Sequence, residues 1–534
     1  MILARLRLLL LAPLFLSACT TVHYAKDPLS TPAGTDDGTV LLSLTVNTGE
    51  AQQFDRIVLS RDEDPPASKS GVDRQYQLSN AVPGASRDTA LFTGVLPAGT
   101  YRFRVLHSGM KFLTLNDAQK ELLGGFRVAP GQLVDLGRLV LTSINFGVMV
   151  GRSNLLTDNR GLIDLVAPQY GVLFDSPAVT GWLDADNRSA MVEDYARAFP
   201  QGAGGFSKLA DGTVVGGTRM GTILQRDTAG KWRVLARTGA LDAVLYTAPY
   251  ETGDYLAVAA GELNTLVKIK RDGSVEPVAR GNLPSGNYLF IHRATDLSRW
   301  AIGVQEKDKA SLFVSDALDD GDWQRVYQDV TSPSVWSGLR GVWFWPHGNG
   351  VGYASTASDR VACLDFATGE WVDHGSPEGR GLLAVAAGPQ PVIGVLTQAG
   401  GGFAGAFAKT HYSQDCGASW VETDSPYTVK AAAPLVLPSG HILEGGGVFS
   451  DKGVYRSTDG AKSWEKITDK GLAFDSNLWV IPGLGLISVL RGLQGVETIE
   501  TSTDEGATWN LEVSSIFWKL LEQKRKARAE AQDQ

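Results

Sequence analysis

The sequence predicts an all-β protein, most of which is a β-propeller of seven blades. Three observations carry this prediction. A tryptophan recurs at a nearly constant interval, and short apolar runs alternate with turn residues between successive tryptophans. The chain also has 61 glycines and a hydrophobic fraction of 43% with no long apolar segment after the amino terminus. Repeats of 44 to 49 residues that hold four short strands are typical of propeller blades, whose sheets are buried on both faces.

The spacing of the tryptophans sets the predicted number of blades. The gaps between them are 91, 48, 49, 44 and 45 residues, for the series Trp232, Trp323, Trp371, Trp420, Trp464 and Trp509. Because the first gap is almost double the others, we expect a missing unit near residue 277, where the turn 271–275 lies. Seven units result. Six or eight blades stay open, since residues 144–200 are poorly patterned and could add or close a blade.

A turn motif, Ser-x-Asp-x-Gly-x-Ser/Thr-Trp, ends the last three units, and the copy in the sixth is imperfect. Its members are Ser413, Asp415, Gly417 and Trp420; Ser457, Asp459 and Trp464; and Ser502, Asp504, Gly506 and Trp509. We expect the Asp and Ser side chains to bond nearby amides, glycine to take positive φ, and tryptophan to pack the turn onto its own sheet. The aspartate is thus predicted to be a structural acceptor, not a catalytic acid.

The motif is similar to the Asp-box, or BNR repeat, of sialidases, sortilin-type receptors and photosystem-assembly propellers. Shorter remnants occur at residues 227–232, 319–323 and 368–371. The first of these keeps the five-residue interval from Asp227 to Trp232.

Residues 1–18 are predicted to be an export signal. Arg5 and Arg7 form its charged start, and residues 8–16 form an apolar run too short to span a bilayer stably. Residues 16–19, Leu-Ser-Ala-Cys, resemble the lipobox of bacterial lipoproteins, which implies that Cys19 carries the lipid. The alternative is an ordinary cleaved signal. Thr20 stands where an Asp would retain a lipoprotein at the inner membrane, so the resemblance implies an outer-membrane anchor, on either its periplasmic or its surface face.

Residues 19–38 lack a periodic apolar pattern and are predicted to be a tether. Residues 39–143 alternate strand-like runs with turns, as in a small β-sandwich. Their 94–101 segment resembles the G-x-LPAG-x-Y hairpin of immunoglobulin-like or transthyretin-like domains, which usually act as binding modules or as spacers. The propeller is predicted for 144–515. Residues 516–534 are predicted to form a short helix with a charged tail, docked on the propeller or binding a partner.

Charge and motif content exclude several functions. Without Arg5 and Arg7 the chain has 47 basic and 58 acidic side chains, a net charge of −11, so nucleic acid is not an expected partner. A disulfide between Cys363 and Cys416 is possible outside the cytoplasm but is not favoured, because the two lie in neighbouring repeats. The seven scattered histidines predict no metal site, and no cofactor is expected. No nucleophile elbow, zinc-protease motif or phosphate loop occurs.

Three arginines are the candidate ligand-binding residues: Arg340, Arg380 and Arg491, each followed by glycine near a predicted inner strand. If they converge at the channel mouth they could bind a carboxylate or phosphate, and the alternative is three unrelated surface residues. The aromatic run 341–348 favours a buried inner strand over a sugar-stacking surface.

Sialidase-like catalysis is not favoured. The sialidase resemblance implies an arginine triad, a Tyr-Glu pair and an acid, but the only Ile-Pro here, Ile481-Pro482, lacks the expected arginine. We therefore expect a lipid-anchored, non-catalytic binding or scaffold protein of a Gram-negative envelope, with a protein or glycan partner. The alternatives are a glycan-binding or glycan-hydrolysing propeller and a structural subunit of an outer-membrane assembly.

Overall fold

The structure is a computed structural model. It describes residues 19–47, 54–65, 72–109, 111–144, 147–294, 299–331, 341–387, 392–398, 408–427, 429–430, 432–447, 450–469, 476–491 and 497–514. The predicted signal (1–18) and the predicted carboxy-terminal helix (516–534) lie outside these ranges. In this part of the chain no helix has the length and apolar character needed to cross a membrane.

Residues 19–203 form the first domain. Its strands are β1 (Cys19–Tyr24), β2 (Asp37–Val46), β3 (Arg56–Arg61), β4 (Val72–Asn80), β5 (Thr89–Pro97), β6 (Gly99–Ser108), β7 (Lys111–Thr114), β8 (Gly125–Val128), β9 (Leu133–Ile144), β10 (Gly147–Arg152) and β11 (Ala178–Val179). Its helices are α1 (Asp117–Leu123), α2 (Arg160–Val166), α3 (Ala190–Ala198) and the 3₁₀ helix η1 (Pro168–Asp175). The strands pair in the order β10-β9-β2-β5-β4-β3-β6-β7, with β1 on β4, β8 on β6 and β11 on β9.

This sheet curls around one core, in agreement with the predicted small β-domain. Val40 on β2 and Phe126 on β8 are not on adjacent strands, yet both are fully buried in the same apolar cluster. The 94–101 hairpin closes on Tyr101, whose ring is buried and whose hydroxyl donates to the Pro97 carbonyl oxygen at 2.6 Å. That bond explains why a tyrosine follows the tight Pro-Ala-Gly turn.

Two predicted boundaries differ from the structure. The predicted tether is instead attached to the first domain, because β1 runs parallel to β4 from Cys19 opposite Val72 to Tyr24 opposite Gln77. The propeller was predicted from residue 144, but β10 and β11 pair with β9, so residues 147–152 and 178–179 extend the first sheet and the first propeller strand begins at Gly204. Backbone pairing at a sheet edge needs no apolar pattern, which is why the sequence did not reveal either segment.

The propeller follows as seven sheets, each of four consecutive antiparallel strands, which confirms the predicted blade number. Blades 1 and 2 are β12 (Gly204–Lys208), β13 (Val214–Gly217), β14 (Thr222–Arg226), β15 (Trp232–Arg237) and β16 (Val244–Pro249), β17 (Tyr255–Gly261), β18 (Leu266–Lys270), β19 (Val275–Pro277). Blades 3 and 4 are β20 (Asn287–Ala294), β21 (Arg299–Glu306), β22 (Lys309–Ser315), β23 (Gln324–Val330) and β24 (Val342–His347), β25 (Gly350–Ser355), β26 (Arg360–Asp365), β27 (Trp371–Gly375).

Blade 5 follows the 3₁₀ turn η2 (Pro377–Gly379) and comprises β28 (Leu382–Ala387), β29 (Ile393–Thr397), β30 (Lys409–Ser413) and β31 (Val421–Glu422). Blades 6 and 7 are β32 (Leu435–Val436), β33 (Ile442–Gly446), β34 (Gly453–Ser457), β35 (Glu465–Thr468) and β36 (Ser476–Ile481), β37 (Gly485–Arg491), β38 (Glu497–Ser502), β39 (Asn510–Ser514). The unit that lacks a tryptophan is blade 2, whose fourth strand ends at Pro277, where the interval predicted it.

Every blade is built from consecutive strands, so no blade combines strands from the two ends of the propeller. The ring is therefore closed by side-chain contacts between blades 7 and 1. Ile487 of blade 7 and Phe206 of blade 1 are buried in one apolar cluster. Glu512 of blade 7 accepts hydrogen bonds from Arg226 at 2.6 and 2.7 Å and from the Trp232 indole at 2.8 Å, both in blade 1. The first and last blades are thus joined by packing and by a buried charge pair.

The propeller has two faces. The turns between strands one and two and between strands three and four lie on one face, here called the turn face. The connections between strands two and three and between blades lie on the other, here called the cover face. The first domain contacts the cover face of blades 1 to 3, where Arg138 pairs with Asp242 at 2.9 Å and Asp88 with Arg219 at 3.1 Å. The Asn287 amide donates to the Ala85 carbonyl oxygen at 3.0 Å.

Candidate functional site

The three Ser-x-Asp turns have the same hydrogen bonds. In blade 7, Asp504 accepts from the Thr508 amide at 2.8 Å and from the Thr508 hydroxyl at 2.6 Å. Ser502 donates to Asp504 at 2.8 Å and accepts from the Gly506 amide at 2.7 Å. The corresponding atoms bond in the other two turns, within Ser413, Asp415, Gly417 and Ser419 and within Ser457, Asp459, Ala461 and Ser463. The carboxylate oxygens are therefore engaged by their own turn.

The charge on these aspartates is stabilised by the same bonds. Hydrogen bonds from Ser463 lower the pKa of Asp459 to about 2. At Asp504, burial raises the pKa, but the bonds from Thr508 and Ser502 outweigh it and the net shift is downward. Each is thus held as a carboxylate, which suits an acceptor and not a proton donor.

The turns lie at the junctions between blades, and the apolar cluster around each tryptophan contains residues of its own sheet and of the preceding blade. Trp509 of blade 7 lies in an apolar cluster with Leu443 and Ile467 of blade 6, and Gly506 lies against the same two side chains. Trp464 of blade 6 packs with Tyr412 of blade 5, and Trp420 of blade 5 packs with blade 4. Each tryptophan thus contributes to an apolar cluster that two neighbouring blades share.

Backbone geometry in the turns needs two consecutive positive φ angles. Cys416 (57°) precedes Gly417 (89°), and Glu505 (57°) precedes Gly506 (87°). In blade 6 the glycine comes first, Gly460 at 73° followed by Ala461 at 69°. This explains why the second copy has its glycine one residue earlier.

A disulfide joins Cys416 in the blade 5 turn to Cys363 on β26 of blade 4, with Cα atoms 6.2 Å apart. The sequence did not favour this bond, because the packing of one blade against the next, which brings the two cysteines together, cannot be seen in the sequence. A variable turn position in one blade faces the third strand of the blade before it. The Nδ1 atom of His347 lies 3.5 Å from Cys363 Sγ, a neighbour that sequence spacing did not reveal.

Of the three predicted arginines, Arg380 can be followed to its side-chain contacts. Its Nε lies 2.6 Å from Glu378, two residues earlier, in the connection from blade 4 to blade 5. Arg491 ends β37 on the cover face, but its side chain is not described, and Arg340 lies outside the described residues. Their convergence stays a prediction.

A charged group surrounds the start of β30 in blade 5. Lys409 pairs with Glu422 at 2.7 Å, and His411 Nε2 lies 4.0 Å from the same carboxylate. Burial lowers the pKa of His411, against the effect of Glu422. Lys409 and Arg380 are thus each paired with a nearby glutamate at this edge of blade 5.

Beside that edge a carboxyl group, Glu444 on β33, is almost completely buried. It accepts from the Tyr427 hydroxyl at 2.7 Å and from Thr423 and Thr410. Burial raises its pKa, although these bonds and the charge of Lys430 act in the opposite direction. Glu444 thus joins blade 6 to blade 5 and to the connection between them. The sequence signal was a glutamate between Leu443 and Gly445 in an apolar strand, which sequence reasoning did not single out.

The inner strands bring aromatic rings together. Tyr246 lies between Phe290 and Trp479, with ring centroids 4.9 and 6.1 Å away, and Phe206 is 5.8 Å from Trp479. Phe290 continues the series to Phe344 at 6.0 Å. Tyr246 belongs to blade 2 and Trp479 to blade 7, so rings from the two blades on either side of blade 1 lie next to each other. We call these five residues the aromatic cluster.

The surroundings of this cluster are apolar. Burial lowers the pKa of His292, next to Phe290, to about 4, so that imidazole is neutral at physiological pH. Phe344 and Trp345 on β24 are buried, so the aromatic run 341–348 is an inner strand, the interpretation that the sequence favoured. Within the described inner strands, these rings link blade 7 with blades 1 to 4 by aromatic packing.

The fold defines this chain as a β-propeller protein with a β-domain docked on one face. Neither a family model nor a curated protein matches its sequence. Among solved structures it is similar to virginiamycin B lyase from Staphylococcus aureus (12% identity, TM-score 0.38, covering 54% of this chain and 91% of that one). It is also similar to YCF48 from Cyanidioschyzon merolae (11% identity, TM-score 0.37, 58% and 92%) and to a YCF48 bound to a D1 peptide (15%, 0.35, 56% and 90%). Such low identities and scores say nothing about what this chain binds.

Proposed function

We propose that this protein is a non-catalytic binding scaffold of the bacterial cell envelope, anchored by lipid at Cys19. The observation that carries the proposal is the aromatic cluster, because apolar rings occupy the inner strands where a propeller enzyme would gather its reactive groups. Charged side chains are instead used to join the parts of the molecule, as at Arg138 and Asp242. A rigid ring with a docked domain suits the presentation of a surface to another macromolecule.

The lipid anchor rests on the lipobox-like residues 16–19 and the apolar run before them. Since β1 begins at Cys19 and pairs with β4, a lipid there would bring the first domain, without a free linker, next to the membrane. We propose the outer membrane as its place.

The turns are proposed to be Asp-box repeats. Three copies share every bond of the Ser-Asp-Ser/Thr network, and the blade 1 remnant keeps one of them, from the Lys231 amide to Asp227 at 2.8 Å. In this proposal the repeats are structural in every blade that has them.

The anchor is tested by growing cells with an alkyne-labelled fatty acid and detecting label on the protein. We expect label on the native chain and none on Cys19→Ala, which should also appear in the soluble fraction. The matched control is Cys363→Ala, which should keep the label. Equal labelling of native protein and Cys19→Ala would contradict lipidation at this residue.

The scaffold function is tested by crosslinking in the native envelope, detergent extraction and mass spectrometry. We expect one protein to be recovered repeatedly with crosslinks to defined propeller residues, and much less of it with the unanchored Cys19→Ala chain. Recovery in fixed stoichiometry with several envelope proteins would instead identify a subunit of an assembly. A clean monomer would contradict the scaffold proposal, and sialoside hydrolysis would then be measured for native protein and for Arg380→Ala.

A further inference from the structure

Three potential metal ligands meet on the turn face, at the junction of blades 4 and 5. His347 is the last residue of β24, Cys363 lies on β26, and Cys416 lies in the Ser-x-Asp turn of blade 5. Their ligand atoms, one imidazole nitrogen and two sulfurs, all lie within 4.8 Å of one another. Strand pairing within blade 4 brings His347 next to Cys363, and the packing of blade 5 on blade 4 adds Cys416.

The separation of His347 from Cys363 suits two ligands of one metal ion. Zinc binds thiolate sulfur at about 2.3 Å and imidazole nitrogen at about 2.0–2.1 Å, which in a tetrahedral site places the two atoms about 3.5 Å apart. The observed separation of His347 Nδ1 from Cys363 Sγ is 3.5 Å. The Cα atoms of the two cysteines are 6.2 Å apart, a distance that permits a disulfide and also lets both sulfurs turn towards one ion.

The surroundings favour a soft or borderline cation. Cys363 and Cys416 are buried, and their cluster contains Trp345, Leu382 and Ile393. Thiolate ligands select Zn²⁺ and Cu⁺ over hard cations such as Mg²⁺ or Ca²⁺, which need oxygen ligands. The apolar shell limits competition from water for the ion.

We propose that His347, Cys363 and Cys416 form a redox-gated site for Zn²⁺ or Cu⁺. In the oxidised protein the two sulfurs are joined and the site is closed to metal. A dithiol reductant supplies two electrons and two protons, which breaks the disulfide into two thiols and converts the reductant to its own disulfide. The incoming ion then displaces the two thiol protons and is held by two thiolates and the neutral His347 imidazole.

The test uses the purified full chain, reduced or oxidised, dialysed against Zn²⁺ or, anaerobically, against Cu⁺. Metal per chain is measured by mass spectrometry, and affinity by competition with a chromophoric chelator. We expect one ion per reduced chain and less than a tenth of that for the oxidised chain. Co²⁺ added to the reduced chain should give the intense visible bands of a tetrahedral site with thiolate ligands.

Variants separate this site from ordinary thiol binding. His347→Ala should weaken binding at least about tenfold while leaving the disulfide able to form, and His347→Gln should behave alike. Cys363→Ser should abolish binding. The control is His441→Ala, which removes a histidine paired with Glu505 in another blade and should bind metal as the native chain does.

The outcomes that overturn the proposal are concrete. Reduced native chain that takes up no more metal than Cys363→Ser would exclude the site. Native affinity in His347→Ala would exclude the imidazole as a ligand. Thermal unfolding and a thiol count in denaturant are measured for every variant, and His347→Gln decides the result if His347→Ala does not fold.

Discussion

Blades 1 to 3 and blades 5 to 7 are built alike but are stabilised in different ways. The first domain covers blades 1 to 3, and the Glu262 carboxylate of blade 2 accepts from the Ser86 hydroxyl at 2.5 Å and from the amides of Arg87 and Asp88 at 3.2 Å. Blades 5 to 7 instead have a complete Ser-x-Asp turn at each junction with the preceding blade. The same ring thus uses contacts between domains on one side and local turns on the other.

The remnants show what this difference means. In blade 1 Asp227 keeps one bond of the complete turn, from the Lys231 amide, and also accepts from the Ala229 amide, whereas in blade 2 Asp272 accepts only from the amide and hydroxyl of Ser274, two residues on. Neither has the serine that completes the motif in blades 5 to 7. In blades 1 and 2, contacts with the first domain thus stabilise blades whose local turns are incomplete.

The largest expected effect comes from breaking the clamp with Arg138→Ala. This leaves Asp242 buried without its cation, which costs about 3–5 kcal/mol of unfolding free energy. Burial already raises the pKa of Asp242, and Arg138 is the group that lowers it. Hydrogen exchange should accelerate in β12 to β19 more than in blades 5 to 7.

The matched control is Arg299→Ala in blade 3. The partner of Arg299, Asp316, is 80% exposed, so losing this pair should lower the unfolding free energy by less than about 1 kcal/mol. Equal acceleration of exchange in all blades after Arg138→Ala would show that the two halves are not stabilised separately.

Next in size is Glu512→Ala, which removes the charged contact that closes the ring. Arg226 would stay buried without a carboxylate, at a cost of about 3 kcal/mol, and blades 1 and 7 should open together. Denaturant unfolding gives the free energy, and the fluorescence of Trp232, which donates to Glu512, should report the loosened junction. Lys409→Ala, which breaks an exposed pair, is the control and should change little.

A smaller effect compares a complete turn with a remnant. Asp504→Ala removes three bonds and should cost about 2 kcal/mol, whereas Asp227→Ala removes two and should cost about 1 kcal/mol. Thermal and denaturant unfolding of both variants measure the difference. If Asp227→Ala cost more than Asp504→Ala, the remnant would be the stronger turn and the contrast between the halves would fail.

The smallest effect is a pH dependence at Glu444, on the uncovered side. Its pKa is raised above the ordinary value of 4.5, so its contribution to stability is full below that value and is lost as pH rises through the folded-state pKa. The unfolding free energy of Glu444→Gln should therefore increase relative to that of the native protein as pH rises. The increase is up to about 1.4 kcal/mol per pH unit between the ordinary pKa and the folded-state pKa of Glu444. Denaturation curves from pH 4.5 to 8 measure this, and a constant difference between the two proteins would show that Glu444 does not titrate differently on folding.

The features found from sequence were those that depend on residues near each other in the chain. The tryptophan interval located all seven blades, including blade 2, because each outer strand follows its own turn. The interval also placed the Asp-to-Trp remnant in blade 1, where the Lys231 amide still bonds to Asp227. Two of the errors involve pairing between distant segments, β1 on β4 and Cys363 with Cys416, and the third is the local hairpin of β9 and β10, in a stretch that is poorly patterned in the sequence.

The sequence by itself determined the number of blades, the position of each turn and the residues that close it, because those bonds join residues at most five apart. Only the tertiary structure decided which blade a turn contacts, which cysteines meet, where the first domain ends and which face it covers. Those choices depend on which surfaces become neighbours once the ring has closed. His347, Cys363 and Cys416 are such a case, since they come from two blades and share no local pattern.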